Sequence, residues 1–120
     1  MLKTLRTQKS AKIYRKYLKG LKSHKKTLCP LCDERVSVKS FKYWRIVKNI
    51  FPYDKIANRH DMLLPRRHIS ENKLNEREIA EYKKIKENYI RNTNYHYIME
   101  ANQKMASIPN HFHLHLVELK

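Results

Sequence analysis

Residues 111–117 read HFHLHLV. Three of the chain's seven histidines fall in this stretch at strict alternation, separated by Phe112 and Leu114 and followed by Leu116. In a β-strand, residues two apart share a face at roughly 6.5 Å spacing. The stretch therefore predicts a strand with two unlike faces. His111, His113 and His115 line one of them, and Phe112, Leu114 and Leu116 pack on the other. A row of imidazoles backed by a face that must be buried is the floor of a site, and the fold has to supply a sheet around it.

Working outward, YHYIMEA (95–101) reads as a second strand, joined to the first by a loop containing Pro109. Before it, SENKLNEREIAEYKKIKENYIRN (70–92) is the clearest helix of the chain. Asn75 and Glu78 form a capping pair, and Leu74, Ile79, Tyr82, Ile85 and Tyr89 make one apolar stripe. RHDMLLPRRH (59–68) reads as a short buried strand ended by Pro65. VSVKSFKYWRIVKNI (36–50), rich in β-branched and aromatic residues, reads as one or two strands broken by FPYD (51–54). At the start, Leu5, Ile13, Tyr14, Tyr17, Leu18 and Leu21 recur at helical spacing among basic residues, which predicts a basic amphipathic helix. The order predicts an α+β fold: an antiparallel sheet with one main helix packed on it, plus the basic N-terminal helix. Residues 1–26 form a separable helical extension on this view, and residues 27–120 the folded domain.

Charge narrows the partners. The 120 residues carry 27 Lys and Arg against 11 acids, a formal charge of +16, and ten of the basic residues precede Thr27 without a single acid among them. Such a balance favours anionic partners: nucleic acid, nucleotides or an acidic membrane surface. The single glycine excludes a glycine-rich phosphate loop, so side chains, together with amide groups of non-glycine residues, are left to hold any bound phosphate. No run of 18 apolar residues spans a membrane, and the start lacks the apolar core of a secretory signal, which makes the cytoplasm the expected location.

Two features carry chemistry. Cys29 and Cys32, in CPLC, have the C-x2-C spacing of half a tetrahedral zinc site, whose remaining ligands would have to be histidines. Inert cysteines are one alternative and a redox pair a weaker one, because no βαβ pattern follows it. The histidine strand is open to three readings: a catalytic metal centre, a neutral imidazole nucleophile that attacks phosphorus with its neighbours orienting it, or a purely structural role. Tyr43 and Trp44, or Ile46 and Phe51, are candidates for an apolar wall beside a nucleobase.

HFHLHLV resembles the H-φ-H-φ-H-φ-φ signature of the histidine triad family of nucleotide hydrolases and transferases. HDMLLPRRHIS (60–70) is similar to a second block of that family, with the same eight-residue gap between its histidines. CPLC resembles the cysteine pair of the family's zinc-bearing branch. The resemblance implies a hydrolase or transferase that attacks the α-phosphate of a nucleoside phosphoramidate, dinucleoside polyphosphate or related adduct through a covalent nucleotidyl-histidine. His113 would be the nucleophile, His115 its phosphate-facing partner, and His60 a supporting histidine from the next strand. Structural zinc would be held by Cys29, Cys32, His68 and His111. Ser107 and Asn102 would contact the nucleotide or its phosphate, and a homodimer formed by joining sheets is implied as well. The aprataxin branch, which removes AMP from adenylated nucleic acid, is the alternative enzyme, with the basic helix binding the phosphate backbone. A zinc-clamped binding module without turnover is the non-enzymatic alternative. The chain departs from the family in NQKMASIPNH (102–111), which lacks the usual glycines, and Asp54 lies two residues out of step with the family's ribose-binding aspartate.

Overall fold

The computed structural model describes residues 4–23, 29–32, 37–102 and 110–120. Among them, five strands form one antiparallel sheet: β1 (Ser37–Ser40), β2 (Trp44–Lys48), β3 (Ala57–Pro65), β4 (Tyr97–Met99) and β5 (Leu114–Leu119). Their order across the sheet is β1-β2-β3-β5-β4. The helices are α1 (Gln8–Ser23) and α2 (Glu76–Lys84). This is the α+β arrangement expected from the sequence.

Strand alternation divides the sheet into two faces. On β3, Leu63 points into the main core with Trp44, Ile46, Leu114 and Leu116, against which α2 lays Tyr82 and the turn after it lays Ile85. The neighbouring Met62 and Leu64 point the other way, to Leu31, Val47 and Cys29. His60 has the parity of Met62 and Leu64, and His115 lies opposite in direction to Leu114 and Leu116. Both histidines therefore occupy the face away from α2. Register places Met62 across from His115 and His60 across from Val117. Trp44, Ile46, Leu63, Leu64 and Leu116 are fully buried. At about 1.5–3 kcal/mol per large apolar side chain, this cluster is what anchors the strands that carry the site.

The main helix begins with the capping box seen in the sequence. Asn75 Oδ1 accepts from the Glu78 N–H at 2.8 Å, and the Asn75 N–H donates back to Glu78 Oε1 at 3.0 Å. Past Lys84 the ladder widens to a π-helical turn over Ile85–Tyr89 and then tightens to a 3-10 turn, Ile90–Asn92. That change of pitch keeps Ile85, Tyr89 and Ile90 on the core side. The predicted stripe needs one correction. Ile79 is 43% exposed, and Glu78 takes the inward position at 1%. Glu78 lies within about 20° of Ile85 around the helix axis, whereas Ile79 is turned about 120° away. Buried there, the Glu78 carboxylate is satisfied by Arg67, whose Nη2 donates at 2.6 Å and Nε at 3.1 Å.

The histidine strand is shorter than expected. Regular pairing begins only at Leu114, so His111 and His113 precede the ladder, and Phe112 is pinned instead by its N–H donating to the Ile69 carbonyl at 2.8 Å. Phe112, Leu114 and Leu116 do pack on the apolar side as predicted. The three imidazoles, however, divide between two structures.

Candidate functional site: a histidine pocket beside a metal-binding cluster

His111 turns toward the cysteine knuckle. Its Nδ1 lies 3.5 Å from both Cys29 Sγ and Cys32 Sγ, and Cys32 Sγ lies 3.3 Å from His68 Nδ1. One donor atom from each of these four residues falls within 4.8 Å of the others, close enough to hold a single metal ion. The fold prepares the cluster from three directions. The knuckle is a 3-10 turn, Pro30–Cys32, whose Leu31 is buried against Val47 and Leu64. Arg45, on β2, donates from Nη2 to the Leu31 carbonyl and so fastens the knuckle to the sheet. His68 follows β3, which ends at Pro65. The Pro65 carbonyl, in turn, accepts from His111 Nε2 at 3.0 Å. That bond fixes the tautomer, leaving Nδ1 as the bare donor facing the sulfurs. Burial lowers the His111 pKa and raises that of the Cys29 thiol, so the metal-free imidazole is neutral near pH 7.

His113 and His115 face a different neighbourhood. His113 Nδ1–H donates to the His111 carbonyl at 2.9 Å, which leaves Nε2 with its lone pair exposed. The ring of His115 stands nearly perpendicular to it, 5.2 Å away between centroids. His115 and His60 are buried together, with His115 Nδ1 only 2.8 Å from His60 Nε2. The protons on this pair follow from one backbone group. The Tyr53 N–H donates to His60 Nδ1 at 2.9 Å, so neutral His60 carries its proton on Nε2 and donates it to His115 Nδ1. His115 then keeps its own proton on Nε2, 3.3 Å from the Tyr53 hydroxyl. Asn49 Nδ2, 3.3 Å from His60 Nε2, also presents a donor there and is a packing contact.

Burial is the main reason both imidazoles stay neutral. It takes His60 down to about 4 and His115 to about 3, helped by the positive charge of Arg6 and by the neighbouring histidines. The arrangement thus offers one imidazole whose Nε2 is left open by the bond at Nδ1 and another, His115, held neutral by burial with a directed N–H.

Of the remaining predicted residues, Asn102 is exposed and makes no hydrogen bond to another described residue, and Ser107 lies outside the described residues. Trp44 and Ile46 are core residues on the α2 face and Tyr43 packs against them, so none of the three walls this pocket. Phe51 stacks on Tyr14 and Tyr17 of α1, at 5.1 and 4.6 Å. Asp54 accepts from the Thr7 N–H and hydroxyl at 2.8 and 3.0 Å and from the Ser10 hydroxyl, bracing Thr7, whose hydroxyl caps α1 by accepting from the Ser10 N–H at 3.3 Å. A cavity of about 560 Å³ does open elsewhere, between Tyr82, Lys86, Tyr95 and Ile98, but none of the predicted site residues lines it.

A scan against protein-family models finds no match for this chain, and no curated protein matches it. Tyr53, which contacts His60 and His115, and Arg45, which holds the knuckle, are the positions at the candidate site that sequence reasoning missed. Within FPYD the sequence drew attention to Phe51 and Asp54 but gave Tyr53 no role, and a buried arginine on a strand has no periodic signal of its own.

Proposed function

We propose that the chain is a histidine triad nucleotidyl hydrolase or transferase with a structural zinc site. One observation carries this reading: His113 Nδ1–H is tied to the His111 carbonyl, so the free Nε2 beside neutral His115 is a ready nucleophile. In the reaction, His113 Nε2 attacks the α-phosphorus, a P–N bond forms, and the bond to the leaving group breaks. His115 Nε2–H donates to a phosphate oxygen as charge develops there. Water then attacks the phosphorus, the P–N bond breaks, and His113 recovers its lone pair. His60 acts through His115, holding its tautomer.

The donor set supports zinc. Around tetrahedral zinc, with bonds of about 2.3 Å to sulfur and 2.0 Å to nitrogen, ligand sulfur and nitrogen stand about 3.5 Å apart. The separations of 3.3 and 3.5 Å match that spacing. Zinc held by Cys29, Cys32, His68 and His111 would clamp the knuckle and the end of β3 to the start of the histidine segment. Two free cysteines used in this way suit a reducing compartment such as the cytoplasm.

The test is direct. The protein is incubated with a nucleotidyl donor labelled on the α-phosphate, quenched without acid, and searched by mass spectrometry for a nucleotidyl adduct on His113. No adduct and no turnover with either phosphoramidate or adenylated DNA would reject the enzyme reading. A second reading, adenylated nucleic acid as the substrate, is favoured by the position of α1. Lys9, Lys12, Arg15, Lys16 and Lys19 are exposed along it, and its first turn is bonded to the loop that carries Tyr53. Among the described residues, no helix is long and apolar enough to cross a membrane.

A further inference from the structure

One side chain of the N-terminal segment reaches the histidine pocket. Arg6 donates from Nε to the Phe51 carbonyl at 2.9 Å. Its guanidinium carbon lies 3.9 Å from the centre of the Tyr14 ring and 4.8 Å from that of Tyr53. The residues around it are held as well. Asp54 accepts from Thr7 and Ser10, and the Lys55 N–H donates to the Leu5 carbonyl at 3.1 Å. Arg6 is thus fixed by two aromatic rings and one hydrogen bond. Its two terminal nitrogens have no hydrogen-bond acceptor among the described residues.

Tyr53 joins this guanidinium to the chemistry. Its N–H orients His60, and its hydroxyl stands 3.3 Å from His115 Nε2. The buried histidines bring donors to the pocket but no charge at neutral pH. A phosphoryl group arriving at His113 carries negative charge and develops more on its oxygens as the bond forms. Among the described Lys and Arg residues, Arg6 is the one whose charge is felt at both His60 and His115. Glycine-rich backbone cannot serve instead, since the chain has a single glycine, Gly20. A guanidinium with two free nitrogens in a fixed plane matches a pair of phosphate oxygens.

We propose that Arg6 is the phosphate-binding residue of the histidine pocket, so that the N-terminal segment completes the site. This rests on the nucleotidyl-transfer reading and adds the group that recognises the phosphate.

Calorimetric titration with AMP and adenosine, repeated with GMP and guanosine, tests it on the full chain and on Arg6→Ala, Arg6→Gln and Arg6→Lys. Arg6→Gln retains a donor for the Phe51 carbonyl, and melting temperature and metal content report folding. The wild type should bind a nucleotide more tightly than its nucleoside. Arg6→Ala and Arg6→Gln should weaken nucleotide binding by about ten- to a hundredfold and leave nucleoside binding unchanged, with Arg6→Lys in between. Equal losses for nucleotide and nucleoside would show that Arg6 only docks the helix, and would overturn the proposal. So would a wild type with no preference for the phosphate, or Arg6→Ala with wild-type affinity. Adduct trapping separates the two ideas. Arg6-dependent nucleotide binding without a His113 adduct rejects the transfer reading alone, and an adduct formed equally well by Arg6→Ala rejects the Arg6 assignment alone.

Discussion

The Nδ1 of His113 lies 2.9 Å from the carbonyl oxygen of His111, whose own ring belongs to the candidate metal-binding cluster. The candidate nucleophile and the cluster are therefore one backbone unit apart, and the orientation of one depends on the other. His113→Ala removes the attacking atom and leaves the cluster whole. Turnover of a nucleoside phosphoramidate should fall by several orders of magnitude, with metal content unchanged. Wild-type turnover in a metal-replete His113→Ala protein would end the assignment.

Metal removal should act in the opposite order. Protein purified without chelator is expected to hold about one zinc per chain. Cys32→Ser and His68→Ala should lose it, together with at least about 3 kcal/mol of stability, or a Tm lower by about 10 °C or more. Activity should decline as the His111 carbonyl loses its fixed position. Metal analysis far below one zinc per chain, or Tm values unmoved by chelation, would count against the clamp.

The buried histidine pair predicts acid sensitivity. Its folded pKa values, about 4 for His60 and about 3 for His115, lie below the ordinary 6.5, so the unfolded chain binds more protons below that pH. Their stabilising contribution is complete above about pH 6.5 and is lost as pH falls toward 3, by up to about 1.4 kcal/mol per pH unit for each histidine. Urea unfolding between pH 4 and 7, at fixed zinc, should show a shallower acid slope for His60→Gln than for the wild type. Equal slopes would mean that His60 is not held neutral by burial.

The capping box and the ion pair that crosses it should be separable by mutation. Asn75→Ala removes one cap bond and should cost about 1 kcal/mol. Glu78→Ala strips a buried carboxylate from Arg67 and from the Asn75 N–H, and should cost about 2–4 kcal/mol in denaturant unfolding. A smaller loss at Glu78 than at Asn75 would show that the helix is held by its apolar side alone.

Neutralising the exposed face of α1 tests the nucleic-acid reading without disturbing its docking contacts. Lys9, Lys12, Lys16 and Lys19, all replaced by Gln, should flatten the salt dependence of DNA binding by up to about 3.6 in the log–log slope. An unchanged slope would place any DNA contact elsewhere.

What the sequence disclosed is local. The capping box, the apolar side of the histidine segment and the C-x2-C knuckle each depend on residues a few positions apart, and all are present in the structure. Ile79 was misplaced because a capping glutamate took the inward position that hydrophobicity alone would give to its neighbour. The approach of Arg6 to Tyr53 and the bracing of Thr7 by Asp54 each span more than forty residues, and neither has a spacing to betray it. The sequence treats 1–26 as an appendage, whereas the described part of it is bonded to the loop behind the pocket.

The strand order carries a consequence for how the chain matures. β5 is made after β4 yet lies between β3 and β4, so until it emerges β3 has a single neighbour and β4 has none. His111, the fourth residue of the candidate metal cluster, arrives with the same segment. A chain whose residues 111–120 have not yet docked can form the β1–β3 meander and α2, but it can close neither the sheet nor the candidate metal cluster. Both closures join residues far apart in sequence, which makes them slow steps. Until residues 111–119 dock, β3 keeps one open edge and β4 has no partner, and such unpaired edges are the ones most prone to pair with another chain.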